Sequence, residues 1–287
     1  MFLHRGDGTF LRHTDPMYRI ASHVMVRRSD STNSITLDIP VAPIDGYLRQ
    51  KKRDGHPVSH MAVILAAYIR TLAEYPALNR FILNKRAYSR NEIAIGMVVL
   101  RAGGTQGKSN DGTMSKVYFN PTDDVFQVEK TVQEYIARNR EQKPDNPTEK
   151  IINVLIGLPG LMRAVVVILK WMDKHNMMPK KIIDASPFHT TMVFSNLASI
   201  RTNYIHHHCY DFGTTSMIMT AGNSREVAVR KGGEIVYEKC MPLGVVMDER
   251  ICSGSYYAMA FRRMNHFLAH PEELETPITQ VLPDPEL

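Results

Sequence analysis

The sequence is short of the residues that would place it among disulfide-stapled, metal-clipped or membrane-spanning proteins. Its three cysteines, Cys209, Cys240 and Cys252, form no even framework and have none of the spacings of a zinc site. That usage fits a reducing compartment, so a cytoplasmic location is expected. The N-terminal stretch MFLHRGDGTFLRHTDPMYRI carries charges throughout and has no apolar centre, which argues against a secretory signal. Internal repeats and low-complexity runs are missing. Basic residues exceed acidic ones, for a formal net charge of +6, but they are scattered. No basic run interleaves with aromatic residues, so nucleic acid is not an expected partner. The densest basic group, Arg49-Gln50-Lys51-Lys52-Arg53, reads as a solvated turn between elements.

A long uninterrupted apolar run is lacking too. Residues 151–172, IINVLIGLPGLMRAVVVILKWM, come closest, but Arg163, Lys170 and the Pro159-Gly160 pair interrupt them. A span needs about 20 consecutive apolar residues. The pattern favours a buried helix or a hydrophobic lining, and membrane contact is not expected; a surface that docks on a membrane or partner is the alternative.

What is present supports a sizeable core, with 44% hydrophobic residues in 287. After a polar arm over 1–17, residues 18–28 read as a short amphipathic helix and Ser34–Pro40 alternates as a strand does. Ser59 is placed to cap a helix whose stripe is Met61, Ile64, Leu65, Tyr68 and Leu72, and Pro76 stops it. Residues 92–100 and 116–119 are strand-like, with a Gly-rich loop over 102–113 between them. Asp123 and Asp124 open a helix faced by Val125, Val128, Val132, Tyr135 and Ile136, and polar residues 140–149 form a linker. From Thr190 the pattern is β-rich: TTMVFSNL, TTSMIMTAG and REVAVR precede a Gly232-Gly233 hairpin signal, and EIVYEKC and MPLGVVM follow it. A helix with Tyr257, Ala260, Phe261, Met264, Phe267 and Leu268 on one side ends before Pro271. Mixed helices and strands with a run of consecutive strands imply a mixed α/β sandwich in a single domain.

Four features stand in a fixed order. The helix from Ser59 leaves through Tyr75-Pro76-Ala77-Leu78-Asn79, and the strand E-I-A-I-G-M-V-V follows. Then come Phe194-Ser195-Asn196-Leu197 and, after the Gly-Gly hairpin, D-E-R-I-C-S-G over Asp248–Gly254 leading into the last helix. This order resembles the catalytic domain of the dihydrolipoyl acyltransferases of 2-oxoacid dehydrogenase complexes, and more distantly chloramphenicol acetyltransferase. The resemblance spans roughly residues 18–274. It implies a chloramphenicol acetyltransferase-like two-layer sandwich, with a mixed sheet flanked by helices. It also implies coenzyme A or an acyl-CoA as substrate, no metal, and a homotrimer or multiple of trimers with the site between subunits. The chain resembles a free-standing catalytic core, with no lipoyl or subunit-binding domain.

In that family the terminal motif reads D-H-R-x-x-D-G, and its His is the general base that deprotonates the acceptor. By resemblance Glu249 takes the place of that His, and Ser253 that of the motif's second Asp. Asp248, Arg250 and Gly254 match and hold the motif's structural positions. Ser195 corresponds to the Ser that donates to the tetrahedral oxyanion, and Ala198 stands where Gly usually follows. A general base is worth about 10²–10⁴ in rate. An ordinary Glu, with a pKa of ~4.3 against ~6.5 for His, is roughly 100-fold the weaker base. Burial that raised it would restore basicity; otherwise the change marks lost catalysis and a pseudoenzyme that serves as scaffold or acyl-CoA-binding subunit. In Ile205-His206-His207-His208-Cys209 an extended backbone would put His206 and His208 on one face. A zinc site there matches no standard spacing, and an ordinary polar loop is the favoured reading. By the resemblance the segment lies close to the acceptor channel, so His206 and His208 are candidates for a displaced catalytic His. His60 and His189 read as structural or solvated.

Overall fold

The computed structural model describes residues 5–100, 112–141 and 160–287. In chain order it contains β1 (Gly8–Phe10), α1 (Pro16–Val24), β2 (Thr32–Pro40), α2 (Val41–Arg53) and α3 (His60–Glu74). Next come β3 (Arg80–Leu83), β4 (Arg86–Arg90), β5 (Ile93–Leu100), β6 (Gly112–Phe119) and α4 (Val125–Glu141). The remainder is α5 (Leu161–Lys174), α6 (Lys180–Ala185), β7 (Met192–Asn196), β8 (Met217–Ala221), β9 (Arg225–Lys231), β10 (Glu234–Asp248) and α7 (Gly254–Ala269).

The main sheet has the order β2-β10-β8-β7-β5-β6, with β9 also paired to β10. β7 runs parallel to both β5 and β8 while the other pairs are antiparallel, so the sheet is mixed. Alternation along the strands sorts side chains between two layers. Met192 and Phe194, Met217 and Met219, and Leu243, Val245 and Met247 join the main core with α2, α3, α4 and α7. Val193, Ile218 and Val246 point the other way and meet Cys209 in a small second cluster. One face is therefore helix-covered, and the opposite face carries the chain that leads away from β7.

The sheet's central partner is α3. Ser59 Oγ accepts from Ala62 N–H (3.2 Å) and donates to Glu129 on α4 (2.6 Å), so one hydroxyl caps α3 and ties it to its neighbour. Every residue from Ala62 to Ala73 is buried, as a helix enclosed on all sides requires. At α4, Asp124 accepts from the N–H groups of Phe126 and Gln127, and Gln127 Oε1 accepts from Asp124 N–H; the two form a reciprocal cap.

Several expectations need correction. The helix expected over 18–28 is Pro16–Val24, because Asp15 caps it and Pro16 sits at its first position; Arg28–Asp30 forms a separate 3₁₀ turn. The arm before it is not loose throughout, since β1 pairs with β4 in a small sheet of order β1-β4-β3. Residues Arg49–Arg53 are the last turns of α2, not a turn between elements, and their cations offset the negative end of the helix dipole. EIVYEKC and MPLGVVM are one continuous strand, β10, despite Pro242. The 102–111 part of the Gly-rich loop, residues 142–149 of the linker and residues 151–159 of the apolar stretch lie outside the described residues. The rest of that stretch is not a buried helix. In α5 only Asp173 is buried, and Val167, Ile168 and Trp171 are exposed.

A buried carboxylate fixes the corner where β10 ends. Asp248 is fully buried and takes the Arg250 guanidinium side-on, Oδ1 from Nε (2.8 Å) and Oδ2 from Nη2 (2.7 Å). Oδ1 also accepts from Ser31 Oγ (3.0 Å), Arg28 Nε lies 3.5 Å from Oδ2, and the Asp248 carbonyl accepts from Tyr257 on α7 (2.9 Å). Arg250 in turn donates to the Met25 carbonyl after α1 (2.9 Å). One carboxylate thus joins the segment before β2, the end of β10 and, through its backbone, α7. A second buried cluster ties α5 to the N-terminus. Asp173 pairs with Arg5 (2.8 Å) and His189 (3.1 Å), and Asp7 pairs with Arg5 and Arg90. Burial pushes the His189 pKa down, over the opposing pull of Asp173.

Two outcomes follow. Asp248→Asn leaves two buried guanidiniums without their counter-charge and is expected to cost about 3–5 kcal/mol in denaturant unfolding. Glu249→Gln should stay within about 0.5 kcal/mol; similar losses for both would contradict the role given to Asp248. His189, with its pKa lowered in the folded state, binds its proton more readily when unfolded. Its contribution is complete above the unfolded value of about 6.5 and is lost as pH falls below it. Thermal midpoints of the wild type should therefore decline through that acidic window, with a shallower decline in His189→Gln.

Candidate active site

Glu249 follows the last residue of β10, and its position is set from both sides. Its N–H donates to the Ser31 carbonyl (2.8 Å), and its Oε2 accepts from Asn33 Nδ2 (2.6 Å) on β2. The side chain is half-buried, and among the described residues no Lys, Arg or His lies at ion-pair distance from it. The neighbouring cation, Arg250, is turned away into the Asp248 pair. Ser253 is the N-cap of α7: its Oγ accepts from Tyr256 N–H (3.1 Å) and lies 2.8 Å from Ser255 Oγ. The Ser253 hydroxyl is the oxygen that caps the helix. Gly254 opens α7, and a Cβ added there would meet nothing within 4 Å, so packing within the chain does not call for glycine.

Ser195 stands at the other end of the sheet, at the C-terminal end of β7. It lines a cavity of about 310 Å³ with apolar walls from Met61, Met97, Val99, Ile136 and Leu197. A second cavity, of about 230 Å³, shares Met61, Phe194, Asn196 and Ser199 with it and reaches His60. His60 Nε2 is 2.8 Å from Asp45 Oδ1, so a His-Asp pair faces this cavity. That pair is not visible in the local sequence, because Asp45 lies fifteen residues away on a different helix, α2. The available signal was the position of His60 directly after a helix cap.

Register locates the candidates relative to one another. Ser195 pairs with Thr220 and Thr220 with Gly244, whereas Glu249 lies five residues beyond Gly244. Strand spacings make that about 20 Å along the sheet. Within one chain Ser195 and Glu249 are not brought together.

The histidine segment crosses the outer face of the sheet. Ser195, Thr220, Gly244 and Thr36 lie in one row over β7, β8, β10 and β2. Thr220 Oγ1 donates to the Ile205 carbonyl (2.6 Å) and accepts from its N–H (3.1 Å). Gly244 is glycine because a Cβ would come within 2.7 Å of the Ile205 carbonyl and the Tyr204 ring. His206 is then fastened to β2, with Nε2 3.0 Å from the Ile35 carbonyl and 3.2 Å from Thr36 Oγ1. Three strand spacings, about 14 Å, separate it from Ser195. His208 stacks on His207 and meets the edge of Tyr210, while Cys209 is buried, its thiol pushed up to about 12 by desolvation. Among the described residues no group of three or more His, Cys, Asp or Glu is placed to hold a metal ion.

Comparison with known proteins bears on the fold. A sequence model of the family described as 2-oxoacid dehydrogenases acyltransferase (catalytic domain) matches residues 195–276, from Ser195 past α7. No curated protein matches the sequence. A probable dihydrolipoamide acetyltransferase from Listeria monocytogenes 4b F2365 superposes with a TM-score of 0.56 at 11% identity, over 92% of this chain and 95% of that one. The cubic core of the pyruvate dehydrogenase multienzyme complex gives 0.58 at 14% identity, over 89% of each chain. A chloramphenicol acetyltransferase gives 0.52 at 11%, over 91% of this chain and 99% of that one. The chain thus has the fold shared by chloramphenicol acetyltransferase and the dihydrolipoamide acetyltransferases, and its residues 195–276 match the catalytic domain of the 2-oxoacid dehydrogenase acyltransferases.

Proposed function

We propose that this protein transfers an acyl group from a CoA-type thioester to a thiol, alcohol or amine, at a site completed between subunits of a homotrimer. The observation that carries the reading is the separation of Ser195 from Glu249. Two groups about 20 Å apart in one chain cannot act on one carbonyl. A neighbouring subunit that presents its Glu249 to Ser195 resolves this, and cyclic symmetry then repeats the site around the trimer. The space beyond Gly254 leaves that corner open to approach.

In this site the Glu249 carboxylate takes the proton from the acceptor, whose sulfur, oxygen or nitrogen attacks the thioester carbonyl carbon. The Ser195 hydroxyl donates to the resulting oxyanion. Collapse breaks the carbon–sulfur bond, and the CoA thiolate recovers the proton from Glu249. The apolar cavity at Ser195 suits a hydrophobic acyl chain.

One observation favours a second reading, in which the protein is an inactive scaffold or acyl-CoA-binding subunit. One oxygen of the Glu249 carboxylate, Oε2, is already engaged by Asn33 Nδ2 at 2.6 Å.

Subunit complementation separates the two. Ser195→Ala and Glu249→Ala should each abolish thioester-dependent transfer, and chains of the two variants, unfolded and reassembled together, should recover about a quarter of wild-type turnover. Wild-type turnover in either single variant would refute the assignment. For the inactive reading the expected result is CoA binding by calorimetry without turnover, with acyl transfer appearing in Glu249→His.

A further inference from the structure

Helix α5 stands apart from the core. Its sequence, LMRAVVVILKWMDK, is amphipathic, yet none of its apolar side chains joins either core cluster. Val167, Ile168 and Trp171 are 58%, 55% and 53% exposed. The one buried residue is Asp173, which fastens the C-terminal end of the helix to Arg5 and His189. A polar lock anchors α5 at one end; Leu161, Met162, Val165, Leu169 and Met172 are partly buried, and Val167, Ile168 and Trp171 are left exposed.

The charges beside this face have one sign. Arg163, Lys170 and Lys174 are exposed, and the only acid on the helix, Asp173, is buried and paired. On a helical projection the three cations form one edge, with Val167 and then Trp171 beside it and Ile168 farther round. A cavity next to Lys170 and Lys174 brings in Arg27, after α1, and Lys85, from the β3–β4 turn, both exposed. Asp211 also lines it, but its carboxylate accepts the Arg28 and Ser29 N–H groups. Val26 stands at the same cavity and is 60% exposed.

We infer that α5 is an interfacial helix that docks this protein on an anionic lipid surface. An apolar face with an aromatic residue and a cationic edge is what a helix lying in the headgroup plane requires. Valine and isoleucine side chains enter the acyl boundary, Trp171 sits at the headgroup level, and the five cations meet lipid phosphates. No helix among the described residues is long and apolar enough to cross a membrane, so the contact is peripheral. This reverses the expectation of no membrane contact, and it does so because α5 is exposed where the sequence favoured burial.

The protein carries its own reporter, since Trp171 is its only tryptophan. The full chain is mixed with vesicles of phosphatidylcholine alone and of phosphatidylcholine with phosphatidylglycerol. Trp171 emission should shift to the blue and the protein should float with the anionic vesicles only. Lys170→Glu/Lys174→Glu should weaken flotation by about tenfold or more, and Val167→Asp/Ile168→Asp should abolish it; both pairs are exposed, so thermal midpoints serve as the folding control. Emission unchanged by either vesicle overturns the inference. So does a blue shift that follows protein concentration without lipid, which would mean that a second copy of the chain covers α5.

Discussion

The geometry of the site depends on the Asp248 carboxylate, buried and shared by Arg250, Ser31 and Arg28. It fixes the exit of β10 against the entry to β2 and, through its backbone carbonyl, the start of α7. Because it draws Arg250 inward, the residue between them is left at the corner with no cation at ion-pair distance among the described residues. Glu249 therefore inherits a position that the frame maintains independently of what occupies it. The corner is thus held by Asp248 and Arg250, and the proposed chemistry is assigned to the residue between them.

The parts of the fold that were legible in the sequence share a physical reason. α3 combines a serine cap, a stripe at helical spacing and a following proline, and α7 a stripe and a following proline, signals that agree. The outer strands of the β9–β10 hairpin were marked by Gly232-Gly233, both at positive φ. The β3–β4 hairpin was missed because its two turn residues, Asn84 and Lys85, both adopt positive φ without a glycine to announce it. α2 was missed because Pro43 and Gly46 weaken its helical signal, although Val41, Ile44 and Tyr47 supply a buried stripe.

The site was less legible than the fold. Sequence order named Ser195 and Glu249, but only strand register shows that they face different ends of the sheet. The histidine run favoured a polar loop, with His206 and His208 as candidates for chemistry by the resemblance. Its backbone is instead held across the sheet by Thr220 and by a row that includes Gly244, long-range contacts that no local pattern encodes. The exposure of α5 was hidden for a similar reason. Amphipathicity shows that a helix has an apolar face, and says nothing of whether the chain itself provides the cover.

The central claim is that acyl transfer takes place between subunits, with Ser195 from one and Glu249 from the next. A crystal structure of the protein soaked with CoA tests it most directly, by showing what lies around the thiol. The account predicts the sulfur between Ser195 of one subunit and Glu249 of its neighbour, within hydrogen-bond reach of both. A thiol enclosed by apolar walls alone, or one approached by the His60–Asp45 pair in place of Glu249, would contradict it.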